Sequence, residues 1–454
     1  MGGKAQFGSR IGLIAATVGS AVGLGNVWRF PAEAQANGGA AFLLLYVACV
    51  AILGIPVMLA EFSLGRGTGK DAMGAFKKLA PRRKWFLTGI LAITASYLIL
   101  SFYMVVAGWT FEYFLQSVTG SLFNATSLSS DASISFQNKM KEYITGSWEP
   151  LLATYVMIAI NIFVLLKGVQ KGIEKMSNIL MPALFVLLVL FCIASLTLPK
   201  AQEGLAYFFN PDFSKITPST MINALGQAFF SLSLGMGILI TYSSYYPKTT
   251  NLVNTAVTVS ILDLTVAILM GIIIFPAVMS FGLDNEALEG ATLVFVTLPE
   301  VFSMMPFPSL WSSLFFLLLM VAALTSTISL AEVSIAFISR QFSLSRQKAC
   351  IAVMLPLIIL SSLCSLSQGA LSGIRILGMN IFDFLDYMAT NLMLPMAAGL
   401  SCIFLGWIIP KSFLTKELTN RYKINLKVYS VIRFTIRYLA PPLIAVILVA
   451  KFLE

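Results

Sequence analysis

The sequence predicts an all-α polytopic membrane protein, eleven transmembrane helices in a five-plus-five inverted repeat whose first and sixth helices are discontinuous. Three observations lead there. Hydrophobic residues fill 58% of the 454 positions, charged residues only 11%, and mean hydropathy is +0.86, a balance far from that of soluble domains. Eleven apolar runs can be drawn along the chain, each near the roughly 20 residues that cross about 30 Å of hydrocarbon. Two of the runs are interrupted halfway, by Gly19-Ser-Ala-Val-Gly-Leu-Gly-Asn-Val-Trp-Arg-Phe-Pro31 in the first and Ser231-Leu-Ser-Leu-Gly-Met-Gly237 in the sixth. Glycine weakens a helix and Asn26 adds a polar amide. A break there exposes peptide groups that lipid does not tolerate unless protein or a water-lined cavity covers them. A glycine-rich packing face is the alternative for the first run alone. Interruption at corresponding places in both halves favours a binding site at mid-membrane.

The elements follow in order. Span 1 is expected over about residues 11–35 and span 2 over 40–64, before a basic inner loop at 66–84. Span 3 covers 85–117; the Ser/Thr-rich stretch 119–148 is an outer loop with a short helix. Spans 4 and 5 take 150–166 and 173–198, around a basic turn at 167–175. Gly172 and Pro182 bracket the inner half of span 5; proline removes an amide and clashes one turn back, so this stretch is read as able to unwind, with a static kink as the alternative. Spans 6 and 7 fall at 220–246 and 252–281, and the long, acidic, proline-bearing loop 282–308 suits an outer lid. Spans 8 to 11 fall at 309–338, 349–366, 381–409 and 431–452. The whole chain, 1–454, reads as one transmembrane domain with repeats at about 11–198 and 218–409 and an extra helix at 431–452. Five is odd, so the second repeat is inverted relative to the first.

The net charge of +10 does not point to nucleic acid, because the basic residues sit in short clusters between spans. With the N-terminus cytoplasmic, 23 of the 30 Lys and Arg fall on the inner side. That asymmetry, with eleven spans, places the C-terminus outside; a plasma-membrane location is expected. Histidine is absent and the five cysteines show no Cys-x-x-Cys spacing, which argues against a zinc site, a disulfide framework and histidine-based catalysis. No enzyme motif, organic cofactor or obligatory protein partner is evident.

Ionisable groups inside spans are costly and mark function by default. Asp263, near the middle of span 7 with no basic residue in that run, asks for a cation or a proton; a protonated, hydrogen-bonded acid is the alternative. On span 8, Ala322, Thr325, Ser326 and Ser329 share a face. Such hydroxyls commonly bond back to the preceding turn, but opposite a broken helix they read as ligands. Hard oxygen donors with so few carboxylates suit a monovalent ion. Arg29 and Asp386 could pair across an outer vestibule as a gate, or stand as separate solvated charges. Tyr103 and Phe230 could line the same cavity.

Together these motifs resemble the neurotransmitter:sodium symporter family, and within it the bacterial members that carry hydrophobic amino acids. The resemblance rests on Arg10-Ile-Gly-Leu13 with Gly19 to Pro31, Asn37-Gly-Gly-Ala-Ala-Phe42, Gly54-Ile-Pro56 with Glu61 and Gly65-Arg66, Phe229 to Gly237, Thr241-Tyr-Ser-Ser-Tyr245 and Ala322 to Ser326, covering nearly the whole chain. It implies the leucine-transporter-like fold and sodium-driven symport of aliphatic and aromatic L-amino acids by alternating access. Two sodium ions would be carried. The first would meet Ala21, Asn26, Ser231 and Asp263; the second Gly19, Val22, Ala322, Thr325 and Ser326. Substrate would meet Ala21, Gly25, Tyr103, Ser233 and Ser326 through its charged ends, and Ile99, Phe230, Met236, Ser329 and Leu330 through its side chain. The Gly172 to Pro182 interval matches the family's helix-unwinding feature.

Three departures carry consequences. Asp263 stands where several relatives have a neutral Asn, which implies transport without chloride. Met236 replaces an aromatic residue, and its flexible thioether implies a pocket that reshapes. The family's inner gate pairs a basic N-terminal residue with an acid at the end of span 8, but Lys4 and Arg340 cannot pair. A sodium-conducting channel and a non-transporting amino acid sensor remain the alternatives; sodium flux tied to substrate separates the symporter from both.

Overall fold

A computed structural model describes residues 6–124, 132–282, 290–424 and 427–453, omitting the side chains of 132–135 and 453. Lys4 lies outside them. Among the described residues nine helices are long and apolar enough to cross a membrane. A tenth crossing is the pair Arg10–Ala21 and Gly25–Ala36, bent by 56°. The sixth expected span consists of Pro218–Ser231 and Ile238–Ser243, neither long enough to cross alone. The expected eleven is therefore reached only when both broken pairs are taken as single crossings.

Spans 2 to 5 are Ala40–Thr68, Phe86–Thr119, Glu149–Leu166 and Val169–Leu196; spans 7 to 10 are Leu252–Phe281, Pro308–Gln341, Arg346–Leu366 and Ile381–Ile408. Their lengths run 29, 34, 18 and 28 residues in the first set and 30, 34, 21 and 28 in the second. The two halves thus repeat the same order of broken, long, longest, short and long helices. Span 11 is Tyr429–Phe452.

Local chemistry sets the ends. Ser9 Oγ accepts from Gly12 N at the start of span 1, and Thr217 caps the sixth span ahead of Pro218, the arrangement that satisfies orphan amides of a first turn. Spans 3 and 8 form the centre, with 72% and 83% of their apolar windows buried, whereas span 11 buries 33% and faces outward. The inner loop expected at 66–84 holds a short helix, Ala72–Leu79, and the outer loop carries Ala132–Thr145. The expected lid is partly helical at Gly290–Ser303; Phe295 in it packs on Trp109, Tyr113 and Phe316.

Both breaks are real and short. Span 1 loses helical geometry at Val22, whose ψ of 112° is extended, and resumes at Gly25. Span 6 is unwound from Leu232 to Gly237, with Ser233, Gly235 and Gly237 at φ of 54°, 79° and 71°. Glycine is required at 235, because a Cβ would lie 2.2 Å from Leu394 O. Span 5, by contrast, is wound from Val169 to Leu196 with Pro182 inside it. The stretch read as able to unwind is helical here, opened only to a π-turn at Val169–Glu174.

Candidate functional site

The two breaks face each other at the centre of the bundle. Ser233 Oγ donates to Ser20 O at 2.6 Å and Gln227 Nε2 donates to Gly25 O at 3.1 Å, so span 6 is tied to span 1 on both sides of the first break. Glu61 of span 2 supports the second break by accepting from Gly235 N at 2.7 Å. A carboxylate there satisfies an amide that the missing helical turn has orphaned.

Asp263 is fully buried and sits where the breaks meet. Ser231 Oγ donates to it at 2.7–2.8 Å, Asn26 Nδ2 at 2.9 Å and Tyr46 OH at 3.1 Å. Asn26 Oδ1 in turn accepts from Gly23 N at 3.3 Å. The four side chains satisfy one another; a cation entering them would draw the amide oxygen round toward itself. Among the described residues no cluster of three or more His, Cys, Asp or Glu exists. One carboxylate with an amide, hydroxyls and carbonyls suits a monovalent hard cation far better than zinc or calcium.

A second junction lies between spans 1 and 8. A Cβ on Gly19 would come 3.2 Å from Thr325 Cβ, so the two helices approach closely at this glycine. Thr325 Oγ1 donates to Ala322 O at 3.0 Å, and Ser326 Oγ to Val22 O at 3.4 Å. All five residues of the expected second ion site thus stand within one small neighbourhood of hydroxyls and carbonyls.

Between the junctions lies a cavity of about 20 Å³, lined among others by Ala21, Gly25, Ile99, Tyr103, Phe230, Ser233, Met236, Ser326 and Leu330. Nine of the ten expected substrate residues therefore meet there. Ser329 does not: its hydroxyl is held between Thr325 O and Tyr242 OH, each at 2.8 Å, and it supports the wall from behind. Tyr103 OH accepts from Leu24 N at 3.0 Å, and a Cβ on Gly23 would lie 2.8 Å from that oxygen. A space this size takes about one water, so any amino acid must displace side chains to enter. Phe230 and Met236 border it.

Arg29 and Asp386 line one outer cavity of about 690 Å³ with Trp28, Glu33 and Lys451, but among the described residues no ion pair joins them. The expected direct gate is not formed here. Arg29 instead lies over the Phe230 ring at 5.6 Å, and Asp386 accepts from Thr390 Oγ1 at 3.2 Å. The inner side is closed by residues the sequence did not disclose as a gate. Glu332, fully buried, takes both arms of Arg346 at 2.7 and 3.0 Å and the Tyr245 hydroxyl at 2.7 Å. Arg340 lies over the Tyr245 ring and reaches Ser244 Oγ at 3.1 Å. Tyr46, Gln227 and Ile238 were equally unmarked, since tyrosine, glutamine and isoleucine in a span carry no pattern of their own.

Comparisons with known proteins agree with this geometry. The profile of the sodium:neurotransmitter symporter family matches residues 4–143 and 131–454. A sodium-dependent transporter of Bacillus subtilis (strain 168), YhdH, is 38% identical over 444 residues, covering 98% of this chain and 96% of its own. A sodium- and chloride-dependent GABA transporter of Drosophila melanogaster is 25% identical across 91% of this chain and 47% of its own length. Among solved structures, MhsT in complex with L-phenylalanine superposes with a TM-score of 0.89 at 41% identity, covering 99% of this chain and all of that one. The broken spans, the buried Asp263 cluster and these matches lead to one conclusion: the chain belongs to the sodium:neurotransmitter symporter family, whose members are secondary transporters and not enzymes.

Proposed function

We propose that this sodium-coupled transporter imports hydrophobic L-amino acids, aliphatic and aromatic, together with two sodium ions and without chloride. The observation that carries the reading is the cavity between two unwound helices, apolar at Ile99, Phe230, Met236 and Leu330 and polar where Tyr103, Asn26 and Ser231 border it. The likeness to a protein solved with L-phenylalanine supports it. Half-helix N-termini offer amides to a carboxylate, and half-helix carbonyls suit cations. The first ion would sit among Ala21, Asn26, Ser231 and Asp263 and share the substrate's carboxylate. Each ligand then raises the other's affinity, which is coupling in its thermodynamic sense. Asp263 supplies the fixed negative charge that a chloride ion would otherwise bring. The second ion would join spans 1 and 8 through Gly19, Val22, Ala322, Thr325 and Ser326, and its escape would release span 1.

The chain is placed in the plasma membrane with its N-terminus cytoplasmic and its C-terminus outside, on the strength of its inner-side excess of Lys and Arg. Eleven spans require that orientation to differ at the two ends. Uptake of labelled leucine and tryptophan into proteoliposomes tests the proposal. Uptake should require inward sodium, fail in potassium, and persist when gluconate replaces chloride. Sodium current without amino acid, or binding without uptake, would refute it.

A further inference from the structure

We infer that the cavity between the helix Lys411–Leu418 and the inner half of span 11 binds the phosphate headgroup of an anionic phospholipid. It measures about 250 Å³ and is lined by Lys411, Arg433 and Arg437 together with Tyr429, Ser430 and Tyr438. No acid lines it. Residues 410–437 hold seven basic residues and one acid, Glu417, and that acid is committed to Arg66 at 2.8 Å. Among the described residues no ion pair reaches any of the three cations lining the cavity. Arg437 is already positioned: its guanidinium lies 4.3 Å from the Trp407 ring centre and 5.1 Å from that of Tyr438, and its buried Nε has no hydrogen-bond partner. Arg437 and Arg433 both line the cavity, and guanidinium groups bind phosphate through charge-assisted hydrogen bonds.

The surroundings select a lipid over a dissolved anion. Trp407, Val431, Phe434 and Tyr438 are each about half exposed or more, and span 11 is the least buried of the long helices. Acyl chains would cover that apolar wall while Trp and Tyr hold headgroup depth. The inference rests on the orientation proposed above, which puts this end at the inner leaflet, and not on the identity of the substrate. A bound headgroup would pin the loop helix, whose Glu417 in turn holds Arg66 at the inner end of span 2.

The test needs neither transport nor sidedness, so its failure is separable from that of the proposed function. Purified full-length protein is titrated in neutral detergent with phosphatidylglycerol or phosphatidylcholine, and retained lipid is read by native mass spectrometry. Phosphatidylglycerol should be retained preferentially, and the preference should fall about fivefold for each cation neutralised in Arg433→Gln and in Lys411→Gln/Arg433→Gln/Arg437→Gln. Arg82→Gln/Arg83→Gln, in a different inner loop, should keep it, and Arg433→Lys/Arg437→Lys, which keeps the charge and loses the guanidinium geometry, should lower it less than the Gln variants do. An unchanged preference in both Gln variants overturns the site. Lipid displaced by millimolar inorganic phosphate alone overturns the lipid assignment in favour of a soluble anion. Should the triple variant fail to fold, the half-buried Arg433→Gln carries the same reading.

Discussion

Asp263 has three side-chain donors and, among the described residues, no ion-pair partner. Buried charge without a counterion is expensive, and hydrogen bonds from Ser231, Asn26 and Tyr46 offset only part of that cost, so the proposed first ion would supply the missing counterion. Replacing it by Asn keeps the shape and removes the charge. Losing a charge-assisted contact costs about 1.5–3 kcal/mol, so Asp263→Asn should raise the sodium needed for half-maximal uptake about ten- to hundredfold. Chloride should restore part of the loss. The check is a sodium titration in chloride and in gluconate; an unchanged titration in either buffer would show that Asp263 is not the source of the negative charge. Asp263, Asn26 and Ser231 were legible in the sequence because polar groups in a span stand out against their neighbours. Tyr46 completes the same cluster from span 2 and was not, because nothing in an aromatic-rich span separates a hydroxyl that bonds from one that does not.

At the scale of elements, the broken helices could be read because glycine, asparagine and small residues concentrate where the period of the span fails. The structure adds what meets the chain at the breaks: Glu61 receives the amide of Gly235, and Gln227 donates to Gly25 O where span 1 resumes; those partners come from other elements and have no signature beside the break. Span 5 shows the opposite limit. Gly172 and Pro182 mark a weak stretch, yet it is wound, and it packs so closely on span 4 that Val164 O lies only 2.2 Å from where a Cβ on Gly172 would stand. Glu174 ties this stretch to the chain's beginning, accepting from Gly8 N at 2.8 Å, Ser9 N at 2.9 Å and Ser9 Oγ at 2.8 Å. Unwinding span 5 would therefore loosen the inner end of span 1 as well, which would open a route for the proposed second ion. Proline inside a helix costs about 3 kcal/mol or more relative to an ordinary residue, a cost that favours the unwound form. Pro182→Leu should remove that bias and lower turnover at least about tenfold while sodium and substrate binding change less than about threefold, read by uptake beside equilibrium binding. Equal losses in both would assign Pro182 to packing alone.

The whole molecule is asymmetric across its middle. Outside the site, a cavity of about 690 Å³ reaches Arg29 and Asp386; inside it, Phe7 packs on Tyr242, Tyr245 and Tyr246 and Glu332 closes on Arg346 and Tyr245. Alternating access requires these two sides to exchange, so the inner contacts should be strong enough to hold and weak enough to release. Glu332 is fully buried, whereas the Arg346 side chain is 26% exposed. Breaking the pair from the arginine side leaves a buried carboxylate with Tyr245 alone, and the exposure of the lost partner reduces the penalty to about 1–2 kcal/mol. At about 1.4 kcal/mol per tenfold, Arg346→Gln should shift the closed-to-open ratio about fivefold to thirtyfold toward the inside. Cys350 reports on it directly, being one turn beyond Arg346 in span 9 and fully buried. In a background where the other four cysteines are serine, Arg346→Gln should speed alkylation of Cys350 by that factor. Sodium and substrate together should slow it again in both proteins, because the proposed sites lie between span 1 and its neighbours and ligands in them would hold span 1 in place. Equal alkylation rates in the parent and the variant would mean that the inner side is held shut by the Phe7 cluster and not by the ion pair.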